Sequence, residues 1–206
     1  TYSNSITIPS AINYEGKDFR ITSIGDSAFY HCNSLTVLTI PASVKSIGDA
    51  TFGNCSNLAI INCKAVIPPT IQSNTFHKVI STIPIFVPQG SVKAYQSAEY
   101  WSQLTNIQTI IGSGPCGDSL IWKLTDRSEL IIEGTGTMHD YDYTPTPWQK
   151  YHESIKYVTI KEGVTNIGAA AFRNNISLIT VTLPESTTSI GRSAFEDCIN
   201  LTSINI

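Results

Sequence analysis

The chain has 206 residues, a formal net charge of −3, 41% hydrophobic residues and 14% charged residues. A slightly acidic chain has no positive field with which to hold nucleic acid or anionic lipid, which excludes both classes of partner. No apolar run reaches the roughly 20 residues that cross a bilayer. Residues 1–10 lack a signal peptide's charged and apolar regions, so we expect any export signal to lie outside this sequence, which is then a mature form or a fragment.

The chain opens with a predicted strand and a hairpin. Residues 5–8 form the strand, and Pro9 follows it. Ile12 and Ile21 then flank a polar turn at residues 15–18, which is typical of a β-hairpin. We expect this hairpin to shield the first repeat.

A 23-residue repeat organises the rest of the chain. The segment SIGDSAFYHCNSL at residues 23–35 returns as SIGDATFGNCSNL at residues 46–58, and shorter copies lie at residues 166–172 and 189–195. A unit this short cannot enclose a core of its own. The units must therefore stack on one another and bury one continuous hydrophobic column.

Apolar spacing within the repeat predicts its local structure. The spacing is near two at Leu38 and Ile40, as in a strand, and three or four around Phe52, as in a helical turn. A glycine that tolerates positive φ is expected at the corner before each turn, at Gly25, Gly48, Gly168 and Gly191. Asp26 and Asp49 follow at positions where a carboxylate accepts unpaired backbone N–H groups.

The repeated pattern Ser-Ile-Gly-Asp-x-Ala-Phe-x-x-Cys-x-x-Leu-x-x-x-x-Ile-Pro resembles the BspA-type leucine-rich repeat. That family occurs mostly in surface proteins of host-associated bacteria and of some parasitic protozoa. The resemblance implies an α/β repeat solenoid, a right-handed and strand-rich coil with short helical or 3-10 turns, arranged here as two repeat blocks with hairpin caps. It also implies a surface-exposed binding or adhesion role, and it implies no catalytic activity.

The five cysteines follow the repeat register. Cys32, Cys55 and Cys198 share one repeat position, and Cys63 falls 23 residues after Ile40. Buried thiols behave as small hydrophobes, so we expect stacked structural cysteines rather than disulfides or metal ligands. Cys116 stands alone and is expected to be a free thiol.

The first block is predicted to close with a helix. After a strand at residues 83–87, Val92, Tyr95, Ala98 and Trp101 follow at helical spacing and form one apolar stripe. The stripe predicts a lid whose aromatic side chains lie in the core. The first domain is accordingly expected to span residues 1–111.

Residues 112–117 match the pattern Gly-x-Gly-x-x-Gly, but a strand-like segment follows instead of the helix that a dinucleotide site needs. We therefore interpret the stretch as a linker. Residues 119–124 and 130–136 predict a second hairpin that caps a second repeat block, so that the second domain spans residues 112–206.

The least repeat-like segment is residues 139–151, for which three interpretations stay open. His139, Asp140 and Asp142 offer groups that ligate metals. Aromatic rings grip sugars or partner surfaces, which makes Tyr141, Asp142, Tyr143 and Trp148 the candidate ligand contacts. Alternatively, Trp148 and some of the tyrosines fill the gap between hairpin and solenoid.

Catalytic and cofactor motifs are absent from the sequence. It contains no Gly-x-Ser-x-Gly elbow, no His-Glu-x-x-His pair and no phosphate loop, so we expect no enzyme and no cofactor. The last predicted strand, residues 201–206, has no cap after it. We expect it to offer an edge to another chain.

These observations predict an extracellular or cell-surface protein that binds a protein or polymer, such as the host extracellular matrix or the surface of a neighbouring cell. A carbohydrate-binding module and a structural spacer of a larger surface protein are the alternatives.

Overall fold

The structure, a computed structural model, describes residues 4–206. The chain divides into two compact units, Thr1–Thr109 (unit 1) and Ile110–Ile206 (unit 2). Each unit buries its own hydrophobic cluster.

Unit 1 is rich in short strands. They are Ser5–Thr7 (β1), Ala11–Tyr14 (β2), Lys17–Arg20 (β3), Ser23–Ile24 (β4), Val37–Ile40 (β5), Ser46–Ile47 (β6), Ile60–Cys63 (β7), Ile85–Phe86 (β8) and Ile107–Gln108 (β9). The α-helix α1 spans Val92–Ser97, and a 3-10 helix spans Trp101–Gln103.

The main sheet of unit 1 is parallel and has the strand order β1-β5-β7-β8-β9. Leu38 of β5 pairs with Ile61 of β7, 23 residues later, so each repeat adds a strand in the same register. Leu38 and Ile40 are buried while Val37 and Thr39 are half-buried, because successive side chains of a strand point to opposite faces. The predicted strand in each repeat is confirmed.

A second parallel ladder runs beside the first. Strands β4 and β6 pair Ile24 with Ile47, and an isolated bridge joins Ser46 to Thr70. Successive repeats of unit 1 are therefore hydrogen-bonded to each other along two separate stretches of backbone.

The glycine prediction is wrong in its reason. None of the four repeat glycines has a positive φ. The residues with a left-handed backbone are instead non-glycine residues that lie two and six positions after each glycine, such as Ser27 and His31 after Gly25. What excludes a side chain is the neighbouring backbone. A Cβ at Gly48 would lie 2.6 Å from the amide nitrogen of Asp26, and one at Gly191 would lie 2.5 Å from that of Ala169. These glycines let adjacent repeats approach closely.

The aspartate prediction is confirmed for Asp26, with a donor in the next repeat. The Asp49 backbone N–H donates to Asp26 Oδ1 at 2.8 Å. In unit 2, the Ala169 N–H donates to Asp140 Oδ1 at 2.7 Å in the same way. Each carboxylate thus supplies an acceptor to an otherwise unpaired N–H at the start of the following turn.

Stacked aromatic rings fill the core beside the turns. Phe29 and Phe52 stack with centroids 5.3 Å apart, Phe52 and Phe76 with centroids 5.6 Å apart, and Trp101 ends the series 5.6 Å from Phe76. Aromatic pairs at these separations add stability beyond the area they bury. The ladder therefore ties each repeat of unit 1 to the next.

The N-terminal hairpin is present but does not shield the first repeat. Strands β2 and β3 pair antiparallel around a turn in which Gly16 has a φ of +75°. Every residue of both strands is exposed, including Ile12 and Phe19. The shielding role is wrong because the hairpin's own apolar side chains stay in solvent.

The helix predicted after residue 91 is present but ends at Ser97, and Trp101 lies on the separate 3-10 helix. Tyr95 of α1 and Trp101 are fully buried. The Tyr95 hydroxyl donates to the Ala65 carbonyl at 2.8 Å, and Trp101 Nε1–H donates to the Pro69 carbonyl at 2.7 Å. Each buried aromatic residue thus has a partner for its polar atom, which burial requires.

Unit 2 combines an antiparallel start with a parallel continuation. Its strands are Ile110–Pro115 (β10), Leu120–Thr125 (β11), Glu129–Gly134 (β12), Gly136–Thr137 (β13), Tyr157–Ile160 (β14), Val164–Ile167 (β15), Thr180–Thr182 (β16), Ser189–Ile190 (β17) and Ser203–Asn205 (β18), with a 3-10 helix at Gln149–Tyr151. The main sheet has the order β10-β11-β12-β14-β16-β18, and β13-β15-β17 form a small parallel sheet. The predicted hairpin, β11 and β12, is confirmed, and β12 starts the parallel ladder.

The predicted linker is wrong over residues 112–115, which belong to β10 and pair with β11. The glycines are explained by packing. A Cβ at Gly112 would lie 2.8 Å from the Tyr151 hydroxyl, and one at Gly114 would lie 3.0 Å from Trp122 Nε1. The Gly-x-Gly pattern thus gives the buried Trp122 indole room to lie against β10.

The cysteines are all free, as expected from their register. Cys55 donates its thiol hydrogen to the Phe29 carbonyl at 3.1 Å, and Cys198 donates to the Phe172 carbonyl at 3.0 Å. Burial raises the pKa of both thiols, and it raises the pKa of Cys116 to about 12. Cys32 is half-buried, whereas the other four are buried.

We expect an alkylating thiol reagent at pH 8 to modify Cys32 first in the native protein. The thiolate is the reactive species, and with a pKa of about 12 only about one Cys116 in 10⁴ is ionised at that pH. Mass spectrometry should count one fast modification in the native protein and five after denaturation. Rapid native modification of Cys116 would contradict its burial.

Candidate binding surface

Trp148, one of the four candidate ligand contacts, lies inside unit 2. Its side chain is 0% exposed. Its Nε1–H donates to the Ala171 carbonyl at 3.1 Å, and its ring stacks on Phe172 with centroids 5.6 Å apart. Phe172 stacks in turn on Phe195. Trp148 is therefore the first member of the aromatic ladder of unit 2.

Tyr141 is also part of this packing. Its ring meets the Trp148 ring edge-on at 5.6 Å, and its hydroxyl donates to the Cys116 carbonyl at 3.4 Å. Burial, and after it the neighbouring Cys116 thiol, raises the pKa of Tyr141. The side chain is half-buried and offers little surface to a ligand.

Of the other two candidates, Asp142 is half-buried and Tyr143 is exposed. Arg192 Nη2 lies 3.0 Å from Asp142 Oδ1 in an exposed ion pair. Tyr143 is 95% exposed. The structure thus places Trp148 and Tyr141 in the packing of unit 2, Asp142 in an ion pair and Tyr143 in solvent.

The metal ligands suggested for residues 139–142 also separate. Asp140 accepts the Ala169 N–H, Asp142 faces Arg192, and His139 Nε2 lies 3.5 Å from Asp118. Across residues 4–206, no group of three His, Cys, Asp or Glu side chains is placed to hold a metal ion.

The main sheet of unit 1 presents an uncharged outer face. Its rows follow the strand register, in which Val37 pairs with Ile60, and Thr39 pairs with Asn62 and then Phe86. All five side chains are half-buried. We call these residues the unit 1 face.

The main sheet of unit 2 presents an outer face on which every side chain except the buried Ile131 is polar. One row consists of Glu129, Tyr157, Thr180 and Ser203, and the second consists of Lys123, Ile131, Thr159, Thr182 and Asn205. Hydroxyl groups are present on three of the four side chains in the first row and on two of the five in the second. Lys123 of β11 forms an ion pair with Glu133 of β12. We call the nine residues of these two rows the unit 2 face.

The sequence alone does not show which residues form the two faces, for a physical reason. Neighbours on adjacent parallel strands lie 23 to 28 positions apart in sequence, and only strand pairing brings them side by side. The available signal was the alternation within each strand read at the repeat period, because every second residue of a strand points outward.

An apolar groove lies along the loops of unit 1. Its cavity is about 500 Å³, with Val66 and Ile67 exposed beside Ala42 and Lys45. The loop at residues 64–70 is one residue longer than its counterpart in the preceding repeat, which lets Val66 and Ile67 project. No helix within residues 4–206 is long and apolar enough to cross a membrane.

Comparison with solved structures finds bacterial leucine-rich repeat proteins. One from Eubacterium ventriosum is 35% identical over 46% of this chain and 25% of its own, with a TM-score of 0.44. One from Bacteroides ovatus is 21% identical over 98% of this chain and 45% of its own, with a TM-score of 0.32. A leucine-rich cell surface protein from Faecalibacterium prausnitzii is 16% identical over 98% of this chain and 87% of its own, with a TM-score of 0.28.

The chain spans less than half the length of the first two of these proteins. No curated protein matches the sequence. Comparison with protein families matches the BspA type leucine-rich repeat region in six copies, over residues 20–114 and 150–206, which is more than half of the chain. With its 23-residue strand register and these six repeat copies, the chain belongs to the BspA-type leucine-rich repeat family.

Proposed function

We propose that the protein is a cell-surface or secreted adhesion protein that recognises a host or neighbouring-cell macromolecule through its two sheet faces. In this proposal each unit is a short right-handed solenoid, and the units correspond to the domains expected at residues 1–111 and 112–206. The stacking of another chain on residues 201–206 stays a prediction.

The main observation behind this proposal is the parallel register of the strands. Adjacent strands lie about 4.8 Å apart, so that residues one repeat apart, such as Thr39 and Asn62, become neighbours on the surface. Repeat proteins use such extended rows to bind large ligands through many weak contacts. Leucine-rich repeat proteins in general bind rather than catalyse, which supports a binding role.

The carbohydrate alternative has lost most of its support. It depended on Tyr141, Tyr143 and Trp148 acting together, and two of those rings pack in the core of unit 2. The spacer alternative predicts no partner at all, so a binding measurement separates it from adhesion.

We expect the purified chain to bind saturably to at least one immobilised matrix protein, with fibronectin and fibrinogen as probes beside a glycan panel. Thr39→Arg on the unit 1 face or Thr182→Arg on the unit 2 face should weaken that binding at least tenfold, because a bulky charge disrupts a flat interface. Biolayer interferometry at physiological salt measures the affinities.

Thr144→Arg is the matched control, since Thr144 is exposed outside both faces. Binding that survives both face variants would contradict the use of the faces. If the chain bound none of the proteins or glycans, the result would favour the structural-spacer alternative.

A further inference from the structure

Charge is distributed unequally between the units. Unit 1 contains six basic and five acidic side chains, a formal charge of +1, whereas unit 2 contains seven basic and eleven acidic ones, a formal charge of −4. An acidic surface favours basic partners by long-range attraction. A specific contact with a basic group further requires a carboxylate that the fold holds in place on the surface of unit 2.

Glu129 is the carboxylate that the unit 2 face holds in place. It is half-buried, and the Thr159 hydroxyl on the next strand donates to its Oε1 at 2.6 Å. Lys123 on the neighbouring strand β11 and Glu133 on β12 pair with each other. Among the described residues, no basic side chain lies within 4.0 Å of the Glu129 carboxylate.

Tyr157 lies directly beside Glu129 on the same face. The two residues are register partners on β12 and β14. The Tyr157 side chain is 45% exposed, so one part of its ring is open to solvent. An aromatic face next to a carboxylate is the arrangement that attracts a cation by both charge and ring quadrupole.

The neighbouring positions complete a shallow polar site. Thr180 follows Tyr157 in the row, and Ser203 follows Thr180, with the Ser203 hydroxyl donating to Thr180 Oγ1 at 3.4 Å. Hydroxyl groups both donate and accept hydrogen bonds. They suit the peptide groups on either side of a bound side chain, and they carry no charge that would repel a cation.

We propose that the unit 2 face binds a lysine or arginine side chain of its protein partner, with the cation between the Glu129 carboxylate and the Tyr157 ring. This inference rests on the proposed function and names the chemistry of the partner. A neutral sugar stacked on Tyr157 would not need the negative charge of Glu129, since a glutamine can also accept hydrogen bonds from hydroxyl groups. The two occupants are therefore separable by experiment.

The probe is an immobilised 12-residue Gly/Ser peptide that carries four lysines, compared with the same peptide carrying four glutamines. Biolayer interferometry at low and physiological salt gives the affinities. We expect the lysine peptide to bind the wild-type chain at least about tenfold tighter. Glu129→Gln should lower that affinity at least about fivefold, and Tyr157→Ala about threefold.

Matched controls exist outside the unit 2 face. Glu185→Gln makes the same charge change at an exposed carboxylate, and Tyr143→Ala removes a more exposed ring. Both should change the affinity less than about twofold, as distant surface substitutions do. Because glutamine can still accept the Thr159 hydrogen bond, Glu129→Gln is expected to keep the fold, and thermal unfolding checks this.

If Glu129→Gln and Glu185→Gln lowered the affinity for the lysine peptide equally, the inference would be overturned, since the net negative charge of unit 2 would then explain the binding. No preference for lysine over glutamine would overturn it as well. So would binding of a neutral glycan that Tyr157→Ala abolishes and Glu129→Gln leaves intact. If matrix-protein capture persists in any of these cases, the adhesion proposal stands and the basic partner alone is rejected.

Discussion

Replacing Trp148 by alanine is expected to lower the free energy of unfolding of unit 2 by about 3–5 kcal/mol, the usual cost of removing a large buried aromatic side chain. The indole is fully buried, stacks on Phe172, and donates to the Ala171 carbonyl at 3.1 Å. Its loss leaves a cavity, a ladder without its first ring and a carbonyl without its donor.

Chemical denaturation followed by far-ultraviolet circular dichroism measures this change. Trp148→Phe should recover part of the stability, since it retains a ring for stacking but is smaller than the indole and lacks the N–H. Tyr143→Ala, at a side chain that is 95% exposed, should change stability by less than about 0.5 kcal/mol. A stable Trp148→Ala protein with impaired binding would instead restore Trp148 as a ligand contact.

Gly168→Ala is expected to destabilise unit 2 by about 3 kcal/mol or more, at or above the upper end of the usual cost of overpacking. A Cβ at this position would overlap the His139 carbonyl oxygen and lie 2.8 Å from its carbonyl carbon. Backbone atoms cannot move aside as a flexible side chain can. The repeat must therefore shift away from the segment before it, and the neighbouring hydrogen bond from Ala169 to Asp140 is lost with it.

Gly25→Ala is the matched control, because Gly25 occupies the same repeat position in unit 1. A Cβ there meets nothing within 4 Å, and φ is not in the left-handed region. The change should be neutral or stabilise by up to about 1 kcal/mol, since alanine restricts the unfolded chain. If both variants melted at the wild-type temperature, the close-approach explanation of the repeat glycines would fail.

The sequence by itself determined the repeat and its local structure. The 23-residue spacing and the alternation at Leu38 and Ile40 led to strands that the structure contains. The helical spacing from Val92 led to α1, which ends at Ser97 before Trp101. These features are short-range, because strand and helix periodicity are written in neighbouring residues. The family match rests on the same local pattern.

The tertiary structure decided how the repeat residues are used. Gly48 and Gly168 are glycine because a neighbouring backbone lies where a Cβ would be, not because of their own φ. Residues 112–115 form a strand because they pair with β11. Similarly, Trp148 lies in the core, where its ring stacks on Phe172.

The pairing of Glu129 with Tyr157 is likewise decided by the tertiary structure. The two residues are 28 positions apart, and neither is unusual in its own segment. Their adjacency depends on which strands pair and in which register, and that choice is made by the burial of Leu130 and Val158 on the opposite side of the sheet. Because register is fixed by the buried face, the core of unit 2 determines which side chains meet on its surface.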